Sequence, residues 1–154
     1  MAKVRYKKSE AIKRFENFAF KKKQEANPNF PYIVKSKYSD NTSNTLTKCV
    51  IDCINLSGGQ AERINSIGRQ IKTKGSTKWI KGSGQIGTAD ISATIKGRSV
   101  KIEIKCKASG DKTQSEHQKK YQQAIEQAGG IYIIVRDFEG FYEWLNKFFK
   151  YGQK

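Results

Sequence analysis

Residues 86–128 read IGTADISATIKGRSVKIEIKCKASGDKTQSEHQKKYQQAIEQA, and the alternation at the start of this stretch decides the fold. Ile91, Ala93 and Ile95 share one face, with Asp90, Ser92 and Thr94 on the other. After a glycine-containing turn, Val100, Ile102, Ile104 and Cys106 alternate with Lys101, Glu103, Lys105 and Lys107. Period-two alternation of this kind predicts two half-buried strands. If Lys96-Gly97 is a two-residue hairpin loop, Ile91 faces Ile102 and Ala93 faces Val100, so the apolar faces agree. The same register sets Asp90 opposite Glu103, with Lys105 two residues further along; a three-residue loop would separate the acids. Opposed side chains have Cβ atoms roughly 4.5–5.5 Å apart, and two carboxylates that close repel unless something neutralises them. A divalent cation such as Mg²⁺, which takes oxygen ligands, would do so. A neighbouring lysine then suits charge developing on a phosphate, or orients a water molecule. The plainer alternative is that Lys101, Glu103, Lys105 and Lys107 form an ordinary solvated strand face.

Asp90 followed by Glu103-Ile104-Lys105 matches a D…(D/E)-x-K pattern. The stretch resembles the VRR-NUC domain of the PD-(D/E)XK nuclease superfamily, including its small phage-type stand-alone members. In that family a G-x-x-D strand precedes an E-x-K strand, an S-x-x-Q helix start, and a glycine before an apolar strand. Here these are Gly87-Thr88-Ala89-Asp90, Glu103-Ile104-Lys105, Ser115-Glu116-His117-Gln118, and Gly129-Gly130 before Ile131-Tyr132-Ile133-Ile134-Val135. The resemblance thins toward the N-terminus.

The resemblance implies an α/β, restriction-endonuclease-like core in α-β-β-β-α-β order, flanked by a basic N-terminal helical arm and a C-terminal helix. Asp90 and Glu103 would be metal ligands, with the Ile104 carbonyl a third. Lys105 would position or activate water near the scissile phosphate, and Gln118 would orient a ligand or a phosphate. The implied reaction is Mg²⁺- or Mn²⁺-dependent hydrolysis of a DNA phosphodiester, structure-selective on junctions or flaps, by a homodimeric resolvase-like or repair-type enzyme. One departure matters: many members carry a further glutamate on the first core helix. Here that region reads Ser43-Asn44-Thr45-Leu46-Thr47, without an acid. Asn44, Glu62 or a water would have to supply that contact.

Composition points the same way. The 154 residues hold 30 Lys and Arg against 14 Asp and Glu, a net charge of +16. Such an excess favours a polyanionic partner, most economically nucleic acid. Arg69, Lys81, Lys107, Lys112 and Lys119 are the basic residues expected to contact it. No apolar run approaches the ~20 residues that span a bilayer, and the basic N-terminus has no apolar signal-peptide core. Three cysteines, Cys49, Cys53 and Cys106, form an odd set better read as buried thiols than as a zinc site. The odd count suggests a reducing cytoplasmic setting, and the resemblance to phage-type nucleases implies a nucleoid-associated place or a phage-infected host cell. No Walker-type loop or dinucleotide fingerprint suggests a small-molecule cofactor.

Along the chain, residues 1–40 read as a lysine-rich extension with a helix over 9–25, and residues 41–154 as the nuclease-like domain. A second helix is predicted over 45–56 and a first core strand over 61–65. A basic, glycine-dotted loop or hairpin follows over 69–84, where lysines beside Trp79 suit phosphate and base stacking, or Trp79 packs on the core. Ser115-x-x-Gln118 is also a capping-box pattern, so Gln118 has two candidate roles. A helix over 115–128 leads to an apolar strand over 131–135, read as buried on both faces. An aromatic helix closes the chain over 138–151, its rings read as core packing or a dimer seam. A non-catalytic nucleic-acid binder, or a degenerate nuclease that only binds, is the alternative; paired carboxylates among lysines argue for the enzyme.

Overall fold

The computed structural model describes residues 5–65, 68–80, 82 and 84–151. Helix α1 (Glu10–Ala26) starts at Ser9, whose hydroxyl accepts from the Ile12 N–H. Helix α2 (Ser43–Leu56) starts at Thr42, which forms a reciprocal capping box with Thr45. Strands β1 (Gln60–Arg63), β2 (Arg69–Thr73), β3 (Ser76–Ile80), β4 (Ile91–Ile95) and β5 (Arg98–Ile104) follow. A short 3₁₀ turn (Lys107–Ser109), helix α3 (Glu116–Gln127), strand β6 (Ile131–Val135) and helix α4 (Phe138–Tyr151) complete the chain.

The class is α/β, with a mixed four-stranded sheet in the order β1-β4-β5-β6. β4 is antiparallel to both β1 and β5, while β5 and β6 are parallel, joined by the α3 crossover. Lys96 (φ 49°) and Gly97 (φ 75°) both adopt positive φ, the requirement of a type I′ two-residue loop. Ile95 therefore pairs with Arg98 and Ile91 with Ile102, the register that opposes Asp90 and Glu103.

One sheet face carries the core. Ile91, Ala93, Ile95, Val100, Ile102 and Ile104 are buried there beneath α1, α2 and α4, against Leu46, Val50, Ile54 and Phe138. The opposite face is covered by α3 on the β6 side, where Tyr121 meets Tyr132 edge-on at 6.3 Å. Strand β6 lies at the sheet edge rather than in its centre, and Ile131, Ile133 and Ile134 are half-buried. Its uniformly apolar sequence reflects the helices on its two faces, not strands on its two flanks.

The reading of residues 1–40 as an extension separate from the domain gives way over α1. Ile12 and Phe15 are fully buried in the common core. Phe15 lies 4.7 Å from the Tyr38 ring and 5.4 Å from Phe138. Buried Glu16 accepts from the Tyr38 N–H (2.7 Å) and from Lys8 (2.6 Å), closing the segment onto the helix. Asp40 then receives the Phe138 N–H (3.0 Å), tying it to the start of α4. The lysines of α1 line its outer face, which is why composition alone reads as a solvated arm. Phe15→Ala is expected to destabilise the protein by about 3–5 kcal/mol in urea denaturation, as for a buried aromatic and not a peripheral arm.

Cys49, Cys53 and Cys106 are buried free thiols. Burial pushes the Cys49 and Cys53 thiols up to about 12, so they act as apolar side chains. Phe138, Phe141 and Leu145 of α4 enter the core, with Trp144 and Phe148 stacked at 5.2 Å beside them. Among the described residues, no helix is long and apolar enough to cross a membrane.

Candidate active site

At one end of the sheet, β4 begins just after Asp90 and β5 ends just after Glu103. The Asp90 main-chain carbonyl accepts from the Ile64 N–H (2.8 Å), which extends the β1 pairing and holds Asp90 in line. Its carboxylate Oδ2 accepts from the Ile104 N–H (2.8 Å). In a strand the N–H and C=O of one residue point to the same flank, so the Ile104 carbonyl also projects toward Asp90.

Glu103 is only 2% exposed, on the sheet face opposite the main core. The Gln118 side-chain amide donates to Glu103 Oε1. Lys105 Nζ lies 3.4 Å from the same oxygen, and the Tyr132 hydroxyl donates to Oε2 at 3.4 Å. Lys105 is itself buried and also lies 3.4 Å from Asp111. Gln118 does two things at once. Its Oε1 accepts from the Ser115 N–H (2.9 Å), completing the capping box of α3, while its amide nitrogen serves Glu103. The helix cap and the contact with Glu103 are made by opposite ends of one amide.

The glycine of Gly87-Thr88-Ala89-Asp90 has a steric reason. Gly87 has φ +86°, and a Cβ placed there would lie 2.5 Å from the His117 carbonyl carbon. The segment entering β4 thus packs directly on the backbone of the first turn of α3, which brings Gln118 over Glu103.

Burial first, then the neighbouring Asp90 carboxylate, pushes the Glu103 carboxyl up to about 7; Lys105 opposes the shift. Between the ordinary value of 4.5 and about 7, the folded protein holds a proton that the unfolded chain releases. That contribution to stability is fully present below about pH 4.5 and is lost as pH rises through about 7. Glu103→Gln removes the titration. In EDTA, the variant's stability relative to wild type is expected to rise between pH 5 and 8, by at most about 3 kcal/mol at ~1.36 kcal/mol per unit. Urea denaturation of both proteins across that range measures it. Parallel profiles would show that Glu103 titrates normally.

A divalent cation fits this donor set. Asp90 keeps its second carboxylate oxygen, Glu103 faces it, and the Ile104 carbonyl points to the same side. Among the described residues, no three His, Cys, Asp or Glu side chains gather to hold a metal, so water would complete the shell. Mg²⁺ ordinarily retains several waters and takes one or two carboxylates. Of the substitutes for a helix acid, Asn44 has its side-chain oxygen engaged by Arg63 at 3.0 Å. Glu62 lies opposite Ser92, on the sheet face that carries Lys101 and Glu103, two residues along from the Ile64–Asp90 rung.

Lys107, Lys112 and Lys119 are exposed on the segments that follow Glu103, and Lys119 pairs with Glu116 at 2.8 Å. Arg69 opens β2, in the separate two-stranded sheet, and Lys81 lies outside the described residues. Three participants escaped the sequence reading: Tyr132, Asp111, and Gln114, whose amide lies 3.5 Å from the Tyr132 hydroxyl. Tyr132 was legible in part, as the one residue with a polar group in an apolar strand. Asp111 and Gln114 sit in a polar loop with no local signal.

No protein-family model matches this chain, and no curated protein matches it.

Proposed function

We propose that this protein is a metal-dependent DNA endonuclease of the PD-(D/E)XK type, acting on branched or flapped DNA. The observation that carries the reading is Glu103: a buried carboxylate facing Asp90, gripped by Lys105 and Gln118, in a chain of net charge +16. Burying an acid beside another acid is costly for a fold and serves a purpose when a cation joins them. The element order from α2 onward, with β2 and β3 as an insertion, is also that of the PD-(D/E)XK core.

Bound Mg²⁺ or Mn²⁺ would supply Lewis acidity toward the scissile phosphate and a water of lowered pKa. Around it, Asp90 and Glu103 hold charge, and the Ile104 N–H fixes the Asp90 rotamer. Gln118 and Tyr132 hold the Glu103 carboxylate in one orientation. Lys105, bridging Glu103 and Asp111, is placed to orient water or to meet charge developing on the phosphate. Lys107 and Lys112 are free of ion pairs among the described residues and suit the DNA backbone. Symmetric cutting of a junction would require two such sites about a two-fold axis, hence a homodimer.

A degenerate, binding-only site is the second reading, favoured by the Asn44–Arg63 contact where a helix acid would stand. Cleavage of labelled four-way-junction, flap, single-stranded and linear duplex DNA separates the two. The assay is run with Mg²⁺, with Mn²⁺ and with EDTA. Metal-dependent products support the enzyme; tight binding without cutting on every substrate supports the binder.

A further inference from the structure

Among the described residues, strands β2 and β3 pair only with each other, in a hairpin inserted between β1 and β4. Residues 69–80, RQIKTKGSTKWI, contain Arg69, Lys72, Lys74 and Lys78 and no acid. Among the described residues, none of Lys72, Lys74 and Lys78 forms an ion pair. A two-stranded hairpin alone is marginal in water, yet this one leaves Ile71 38%, Ile80 50% and Trp79 63% exposed. Apolar side chains shown to solvent on an all-basic ribbon point to an anionic partner with apolar faces, which describes unpaired bases on a phosphate backbone.

Trp79 is prepared for such a partner. Its indole rests on Gly68: a Cβ on that glycine would lie 2.7 Å from Cε2, Cζ2 and Nε1. Glycine there lets the ring settle against the backbone, which restrains its orientation while most of it stays open. Across the hairpin Gln70 pairs with Trp79 and Lys72 with Thr77, so Lys72 shares the face of Trp79, two rungs away. The hairpin is also rooted beside the site. The chain leaves the main sheet after Ile64, whose N–H bonds the Asp90 carbonyl (2.8 Å), and rejoins it at Asp90.

We propose that the β2–β3 hairpin is a single-strand arm: Trp79 stacks on an unpaired base while Lys72, on the same face, and Lys74, at the turn, hold flanking phosphates. The arm selects DNA with a single-stranded segment beside the duplex, a flap or fork rather than uninterrupted helix. The substrate statement rests on the nuclease reading above; the binding statement does not.

The test is a binding titration of the full chain in EDTA, using a forked duplex with an oligothymidine arm and a blunt duplex of equal length. Trp144→Phe leaves Trp79 as the single tryptophan. Its fluorescence is expected to be quenched by the fork and not by the blunt duplex. By anisotropy, Trp79→Ala, in a chain that keeps Trp144, is expected to weaken fork binding about tenfold or more, with blunt-duplex binding changed less than about threefold. Trp79→Phe is expected to restore most of the affinity. No quenching, or equal loss on both DNAs, overturns the proposal. If wild type cuts no DNA yet Trp79 is quenched by the fork, the nuclease reading fails and the arm stands. If it cuts while Trp79→Ala binds normally, the arm alone fails.

Discussion

Glu103→Gln is expected to abolish metal-dependent cleavage, lowering the rate on the order of a thousandfold or more, while DNA affinity in EDTA stays within about threefold. The substitution keeps the volume of a side chain that is only 2% exposed, and its amide oxygen still accepts from Tyr132 or Gln118. What it removes is the charge that would face Asp90 across a cation. Loss of Mn²⁺ binding by calorimetry, measured without DNA, should accompany the loss of cutting. Lys105→Met is the informative contrast: on the proposed reading, in which the lysine serves water or phosphate and not the cation, metal binding should persist while the rate falls. A Glu103→Gln protein that cuts at the wild-type rate would sink the assignment, whatever its stability.

Gly87→Ala should carry the largest stability loss of any single added methyl group near the site, about 3 kcal/mol or more. Two effects combine. A residue with a side chain at φ +86° costs roughly 1–2 kcal/mol. The new Cβ would also meet the His117 carbonyl carbon at 2.5 Å and its oxygen at 2.6 Å, and helix backbone does not step aside as a flexible side chain does. Overpacking of that kind costs typically ~1–3 kcal/mol more. At about 2–4 °C per kcal/mol for a domain of this size, a drop near 10 °C in melting temperature is expected. Gly110→Ala is the control: φ is +80° there, but nothing lies within 4 Å, so only the backbone strain is felt. Equal losses in the two variants would mean that the contact with α3 contributes nothing. Gly87→Ala should also reduce activity below its folded fraction, since the turn it displaces carries Gln118.

The residues that announced themselves did so through local geometry. Strand alternation and the Lys96-Gly97 loop together determine a register, because side chains alternate with period two and a type I′ loop admits one pairing. From that register the opposition of Asp90 and Glu103 follows directly. Ser115 and Gln118 were legible as a cap, since capping is a matter of three residues' spacing. The lysine-rich α1 was misread because composition averages over its two faces; burial of Ile12 and Phe15 depends on α4, more than a hundred residues away in sequence.

What the sequence by itself determined, then, is the hairpin, the starts of α1 and α3 and the carboxylate pair, all set by interactions between near neighbours in the chain; α2 begins at Ser43, two residues before the expected start. Only the tertiary structure decided that Glu103 is enclosed by Tyr132, Lys105 and the far end of Gln118. The same holds for the bond from Lys105 to Asp111 and for the turn of α3 seated on Gly87. Those contacts come from the crossover that lays α3 over the open face of the sheet. A right carboxylate in a right register becomes a buried, proton-holding group only when that packing excludes water from it.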